Sequence, residues 1–191
     1  VVTAKENENS ATTSRTMDRT ALDHVQMVSL SDIGGLLPGG VTANPSLLST
    51  NRFNLRAGEA TEAGNSSFGT AVEVDGVRIS NNASFSEIKG ASINNIASSN
   101  VESVEVISGV PSVEYGDIGA GIVKVNTKKG LAPYLVTMTT NPKTKQFSVS
   151  KGFGLGQSRN GVSGGVLNAN VEYTRSVKDS RSPYESYNRK Q

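Results

Sequence analysis

The chain has 191 residues, enough for one domain with a buried core or for a domain joined to part of something larger. Its 19 basic and 17 acidic residues are dispersed and leave a net charge of +2, so the chain has no long-range field of the kind that nucleic acid or anionic lipid would require. Cysteine is absent, which excludes disulfides, thiolate metal sites and cysteine nucleophiles, and no apolar run approaches the roughly 20 residues of a membrane helix. Any membrane role would therefore depend on strands.

The first part of the chain changes character at Ala21. Residues 1–20 are polar and lack apolar periodicity, which predicts a flexible leader. From Ala21 onward the pattern predicts an apolar strand, then a short helix with Ser31 as its N-cap that ends at Pro38-Gly39. Because no basic stretch leads into an apolar one after Val1, we expect either a removed secretory signal or a piece of a longer precursor.

The middle of the chain contains short strand signals separated by turns. Phe53–Arg56 alternates briefly between apolar and polar residues, and Ala71–Ile79 gives the clearest strand signal. Within it, Asp75-Gly76 predicts a tight hairpin or a sharp bend. A helical turn is expected near Ile93 and Ile96, before the next strand.

Residues 96–129 contain two alternating strand patterns, which flank a loop with four glycines and a proline. The strands are expected at Val101–Ile107 and within Gly119–Lys129. The loop and its borders contain Gly109, Pro111, Tyr115, Gly116, Gly119 and Gly121. Its glycines either set positive φ at bends that face a lumen or are ordinary turn glycines.

The segments from Tyr134 onward read as long alternating strands. In the clearest of them Leu167, Ala169, Val171 and Tyr173 alternate with Asn168, Asn170, Glu172 and Thr174. Strands of outer-membrane barrels show this pattern, with turn residues such as those at 158–161 between them. A half-buried hairpin of a water-soluble sheet alternates in the same way, so the pattern alone leaves both readings open.

Taken in order, these motifs resemble the plug domain of TonB-dependent outer-membrane receptors over most of residues 20–130. The resemblance rests on Leu37–Gly40, Phe53–Arg56, Val74–Val77 and the closing signature Val101–Lys129. The tail is similar to the start of the barrel in SusC-like receptors of Bacteroides-type bacteria, through the segments Asn141–Lys145, Ser150–Phe153, Glu172–Arg175 and Arg181–Tyr184.

The resemblance implies an α+β fold, with a small mixed four-stranded sheet and short helices, followed by antiparallel hairpin strands. Those strands would be the start of a truncated barrel of about 22 strands. The implied domains are a flexible leader at 1–20, a plug at 21–130 and the first barrel strands at 131–191. Because one or two hairpins leave open edges that cannot cross a bilayer, we expect the chain to be a fragment that is soluble in isolation.

The function implied is that of a gate, which occludes the barrel and opens on ligand binding and on pulling by the inner-membrane protein TonB. The imported nutrient would be bulky, with a glycan or a peptide favoured over a siderophore. The implied partners are the chain's own barrel, TonB and a SusD-like surface lipoprotein, and the implied location is the outer membrane of a Gram-negative bacterium. No cofactor, metal or nucleic acid is implied.

The resemblance also assigns residues. Similar plugs present two loops outward, which here contain the candidate ligand-facing residues Glu59, Glu62, Asn65, Asn81, Asn82 and Phe85. Arg56 would lock the plug to barrel carboxylates with help from Lys124, because Ser108 stands where the family often has a second arginine. The structural signature consists of Asp75, Gly76, Gly109, Pro111, Tyr115, Gly116 and Gly121. No convincing attachment box for TonB occurs in residues 1–20.

Enzymatic activity has no positive support in the sequence. Gly152–Gly156 superficially resembles a phosphate-binding loop but has no following helix, and His24 lacks the partners of a zinc site. Glu102 and Glu105 are expected on opposite faces of a strand, where they could not act as an acid and base pair. The alternatives to a transporter gate are a free-standing extracellular or periplasmic β-rich binding module and, with less support, a hydrolase.

Overall fold

The computed structural model describes residues 5–6, 13–36, 53, 55, 70–79, 93, 95–108, 113–115, 118, 121–140, 144–156, 165–176 and 189–190. The chain divides into two compact units, the first from residues 1–96 and 101–127 and the second from residues 97–100 and 128–191. Four residues between Ile96 and Val101 therefore belong to the second unit. None of the helices in the described ranges has both the length and the apolar composition needed to span a membrane.

The first unit is built on a mixed sheet. Its strands are β1 (Lys5–Glu6), β2 (Thr13–Met17), β3 (Thr70–Val74), β4 (Val77–Arg78), β5 (Val101–Ser108) and β6 (Gly121–Thr127), in the order β1-β2-β5-β6-β3-β4. Only the β3–β6 pair is parallel among these neighbours. The mixed sheet is confirmed, but among the described residues it has six strands rather than four, because the two-residue strands β1 and β4 extend its edges.

A helix, α1 (Arg19–Val25), stands where an apolar strand was predicted from Ala21. The side chain of Asp18 caps this helix by accepting a hydrogen bond of 2.9 Å from the backbone N–H of Ala21. Ala21 and Leu22 are buried on the helix face that contacts the core, and Gln26 ends the helix in the left-handed region with φ 51°. The cap before the first apolar residues was the signal that the strand interpretation overlooked.

The end of the predicted leader is ordered as β2, which pairs along its length with β5. Ser14 and Met17 are buried, although the strand contains a single large apolar residue. Its polar composition hid it from sequence analysis, because the hydrogen bonds offered by the edge of β5 determine its conformation more than its own propensity does.

A 3-10 helix covers Leu30–Leu36, and Ser31 is not its N-cap because the helix begins one residue earlier. The Asp32 carboxylate takes the capping role instead. Its Oδ2 accepts hydrogen bonds from the backbone N–H groups of Val28 at 2.9 Å and Ser29 at 3.1 Å. These bonds tie the residues just before the helix to its first turn, as in a capping box.

Both faces of the first sheet carry packed apolar residues. The larger core cluster consists of Met17, Ala21, Leu22, Met27, Leu30, Ile33, Phe53, Val72, Ile93, Val101, Val104, Val106, Val123 and Val125. The smaller cluster on the other face consists of Ala71, Ile107, Ile118 and Ile122, with Tyr115 packed against it. The central strands β5 and β6 supply residues to both clusters, so their pairing anchors the unit.

The predicted hairpin at Asp75-Gly76 is confirmed. Both residues have positive φ, 51° and 82°, as a type I′ turn between β3 and β4 requires. Asp75 also ties the turn to β6: its backbone N–H donates to Val125 O at 2.9 Å, and its carboxylate accepts from Thr127 N at 3.0 Å and Thr127 Oγ1 at 2.6 Å. The role of Asp75 in the described structure is therefore a structural one.

The second unit is an antiparallel sheet. Its strands are β7 (Ala132–Thr140), β8 (Thr144–Gly154), β9 (Val166–Ser176) and β10 (Arg189–Lys190), in the order β10-β9-β8-β7, and it includes the short 3-10 helix Ser98–Asn100. The predicted antiparallel strands are confirmed. In the part of the chain that the structure describes, this sheet is open rather than closed into a barrel.

The predicted helical turn before β5 is also present. The backbone N–H of Ile96 donates to Ile93 O at 3.2 Å, and the 3-10 helix Ser98–Asn100 follows immediately. This turn leads the chain into the segment of the second unit that precedes Val101.

Replacing Gly121 by alanine should destabilise the protein strongly. Gly121 has φ +138°, and an added Cβ would lie 2.5 Å from Ile107 O and 2.6 Å from Leu55 Cδ1. We expect Gly121→Ala to lower the free energy of unfolding by about 3 kcal/mol in urea denaturation. Gly76→Ala is the matched control, since Gly76 has φ +82° with nothing within 4 Å of the added Cβ. It should cost about 1 kcal/mol, and equal losses would contradict the steric argument.

Candidate functional site: a two-faced sheet and its serine clamp

The two faces of the second sheet have opposite characters. The strand register places on one face the exposed apolar residues Tyr134, Val136, Met138, Phe147, Phe153, Leu167, Val171 and Tyr173. We call this the apolar face. The opposite, polar face carries buried Thr144, Gln146, Ser148 and Thr174. A water-soluble sheet with one wet face has the reverse arrangement.

The segment Ala97–Asn100 is held by hydrogen bonds from the polar face. The Glu172 carboxylate accepts from Ser99 N at 3.1 Å and from Ser99 Oγ at 2.6 Å, and Asn170 Nδ2 donates to the same Oγ at 3.0 Å. Gln146 Nε2 donates to Ser98 Oγ at 3.1 Å. We call these five residues the serine clamp.

Neighbouring contacts extend the serine clamp along the chain. Asn168 Nδ2 donates to Lys128 O at 3.0 Å, and Lys128 N donates to Asn100 O at 2.9 Å. Hydrogen bonds to a carboxylate are stronger than hydrogen bonds between neutral groups. A partly buried polar cluster whose members are hydrogen-bonded to one another favours one arrangement of the chain. The segment Ala97–Asn100 is therefore a fixed part of the second unit.

A lysine lies among aromatic rings on the apolar face. Lys151 Nζ is 3.9 Å from the ring centroid of Tyr134 and 4.8 Å from that of Phe153. Both distances allow a cation–π interaction, which becomes stronger when the cation loses water. The two rings therefore stabilise the positive charge of Lys151 on an otherwise apolar surface.

A row of charged residues crosses the first sheet on the face of the smaller core cluster. The strand register places Lys124 of β6 between Glu105 of β5 and Glu73 of β3, and Lys124 Nζ lies 5.4 Å from the Tyr115 ring centroid. Burial alone would lower the pKa of Lys124. The hydrogen bond and charge interaction with Tyr115, together with the carboxylates of Glu105 and Glu73, outweigh burial and raise this pKa above its ordinary value of 10.5.

Of the residues assigned as ligand-facing, as the lock Arg56 or as structural signature, four are described. Asp75 and Gly76 form the β3–β4 turn, Tyr115 packs on the smaller core cluster beside Lys124, and Gly121 begins β6. The assignments that lie outside the described residues are Glu59, Glu62, Asn65, Asn81, Asn82, Phe85, Arg56, Gly109, Pro111 and Gly116.

The serine clamp could not be predicted from the sequence. The alternation in β9 indicated a polar face, but nothing in the sequence identified Ser98 and Ser99 as its partners, about 70 residues earlier in the chain. His24, the one histidine, donates from Nδ1 to Thr20 O at 2.9 Å within α1. Among the described residues, no group of three or more His, Asp or Glu side chains is placed to hold a metal ion.

The class of protein is a small α+β domain, which is followed in the chain by an antiparallel sheet that exposes its apolar face. The model of the TonB-dependent receptor plug domain family matches residues 6–123, more than half of the chain. The chain belongs to this family of plug domains. No curated protein matches it.

Membership of this family carries general properties. Plug domains of TonB-dependent receptors gate transport through outer-membrane receptors of Gram-negative bacteria, work with a barrel and with TonB, and are not a family of enzymes. The match begins in β1 and ends within β6, so it contains the mixed sheet and the segment Ala97–Asn100, whereas β7, β8 and β9 lie after it.

Removing the Glu172 carboxylate should release the segment that it holds. In Glu172→Ala the Ser99 amide loses its acceptor, so we expect its hydrogen exchange to become about tenfold faster, as for the loss of one charge-assisted bond. Glu102→Ala removes an exposed carboxylate of β5 and serves as the control. Unchanged exchange at Ser99 in the Glu172 variant would show that the serine clamp does not hold the segment.

The raised pKa of Lys124 predicts a loss of stability in alkali. A group whose pKa is higher in the folded state stabilises the fold while it is protonated, and this contribution disappears as pH rises through the folded pKa, above 10.5. In urea unfolding, the decrease in free energy over that range should be smaller for Lys124→Met than for the parent protein. Lys129→Met, which removes an exposed lysine, should retain the parent's decrease.

Proposed function

We propose that this chain comprises the gate and the first barrel strands of a TonB-dependent transporter that imports a bulky nutrient. The observation that carries the proposal is the reversed amphipathicity of the second sheet, whose apolar face is exposed while Thr144, Gln146, Ser148 and Thr174 on its polar face are buried. The strands that show it follow the family match directly.

A membrane barrel accounts for both faces. Its outer surface requires apolar residues toward lipid, and its lumen accepts polar ones. In water, a continuous apolar surface of this kind would favour aggregation or association. The lengths of β7, β8 and β9 are 9, 11 and 11 residues, which suits tilted strands that cross a bilayer. Because open edges are not tolerated in hydrocarbon, further strands are needed to close the barrel, to about 22 by the family resemblance.

Gating would begin at the edge of the first sheet. β1 is the first strand in the chain and pairs only with β2 among the described strands, so a pull from the amino-terminal side reaches this edge before the central pair β5–β6. The proposed ligand-facing loops contain Glu59, Glu62, Asn65, Asn81, Asn82 and Phe85. Ligand binding there and pulling by TonB on the periplasmic side would act on one domain from two directions.

The SusC-like motifs in the tail support a glycan or a peptide as the nutrient, with a SusD-like lipoprotein as surface partner. Arg56 is the proposed lock between plug and barrel, and Lys124 is less available for this role because it interacts with Tyr115 and lies between two carboxylates of its own sheet. The location that follows is the outer membrane, with the plug inside the barrel and open to the periplasm.

The proposal is tested by an immunoblot of fractionated source cells with antibody against this chain, loaded boiled and unboiled. A closed barrel resists detergent until heated, so we expect an outer-membrane band well above 20.0 kDa whose mobility changes on boiling. A soluble band near 20.0 kDa would contradict the transporter and support the free-standing binding module.

Two variants make the same experiment specific to the sheet. Val171 on the apolar face is 72% exposed and Val77 in β4 is 71% exposed, so the pair is matched in exposure. Arginine on a lipid-facing position costs about 2–4 kcal/mol near the middle of the bilayer. Val171→Arg should therefore reduce the heat-modifiable band, whereas Val77→Arg should leave it unchanged, and equal effects would count against a lipid-facing sheet.

A further inference from the structure

Basic residues form a row at one end of the apolar face. The strand register places Lys145 of β8 directly opposite Arg175 of β9. Lys145 and Arg175 are exposed, while their chain neighbours Thr144, Gln146 and Thr174 are buried on the polar face. We call Lys145 and Arg175 the basic row.

The basic row is electrostatically unfavourable by itself. Residues directly opposite on adjacent antiparallel strands have Cβ atoms about 5 Å apart, and like charges at that distance destabilise the pair. Within the described part of the second unit the one carboxylate is Glu172, which lies on the polar face and accepts hydrogen bonds from Ser99. An anion from outside these residues would turn this repulsion into a binding interaction.

The surroundings of the basic row select the kind of anion. Two residues further along the strands, about 7 Å away, lies the apolar row Met138, Phe147 and Tyr173, whose members are directly opposite one another. All three side chains are exposed. A cationic row that adjoins an apolar one matches the boundary between the phosphate groups and the acyl chains of a membrane lipid. A free phosphate ion would use only the charges.

We propose that the basic row binds the phosphate of an anionic membrane lipid, whose acyl chains lie along the apolar face. The proposal rests on the proposed function, because it requires this face to be in contact with lipid. It adds a site on the outer surface of the sheet, distinct from the polar face and the serine clamp. Lys151 does not belong to the site, since it lies about 20 Å further along β8 and is engaged by Tyr134 and Phe153.

The test uses the full-length protein in nanodiscs of phosphatidylcholine with a minor fraction of phosphatidylglycerol. Native mass spectrometry after release into mild detergent measures how strongly phosphatidylglycerol is enriched on the protein. The double variant Lys145→Gln/Arg175→Gln should lower this enrichment about tenfold, because each cation near a membrane surface attracts anionic lipid. The control is Lys129→Gln/Arg78→Gln, which removes the same charge from exposed positions outside the apolar face and should retain the enrichment.

The outcomes separate this proposal from the transporter proposal. Insertion into nanodiscs with equal enrichment for parent and Lys145→Gln/Arg175→Gln protein would overturn the lipid site and leave the transporter intact. Failure of the parent to insert, with no heat-modifiable band in cells, would overturn both. In a further arm, inorganic phosphate is added to the parent protein at the same concentration as phosphatidylglycerol. Loss of bound phosphatidylglycerol under this condition would overturn the choice of a lipid over a free ion.

Discussion

The structure depends on one constraint, that successive side chains of a strand point to opposite faces, so each strand meets two environments at once. In the first sheet both faces are packed: β5 directs Val104 and Val106 to the larger cluster and Ile107 to the smaller one. In the second sheet the faces are divided, with Ser148 buried and Val171 exposed. The same alternation therefore builds a core in one unit and an exposed apolar face in the other.

The sequence predicted those elements whose conformation is determined by neighbouring residues, and it did not predict those that depend on distant partners. The turn at Asp75-Gly76 was predictable because two adjacent residues favour positive φ there, and the long strands β8 and β9 because their alternation persists over 11 residues. The strand β2 was not predictable, since its polar residues form a strand only by pairing with β5. The prediction of a strand at α1 was wrong because a short apolar run fits the period of a strand as well as that of a helix. The residue that distinguishes the two is Asp18, the N-cap of the helix.

The same distinction applies to the candidate site. The polar and apolar faces of the second sheet were visible in the sequence, because each is a property of single strands. The serine clamp and the basic row were not, because they depend on register: Ser99 meets Glu172 across 73 positions of the chain, and Lys145 meets Arg175 only when β8 and β9 pair in this alignment. A shift of one residue would move every one of these side chains to the other face.

The segment Ala97–Asn100 belongs to the second unit, although the residues on both sides of it in the chain belong to the first. Asn100 is bonded to Val101, the first residue of β5, and β5 pairs with both β2 and β6. Any rearrangement of the first sheet that displaces β5 must therefore either carry Ser98 and Ser99 with it or leave them held by Glu172 and Gln146. The charge-assisted hydrogen bonds from Ser99 to Glu172 oppose the first course.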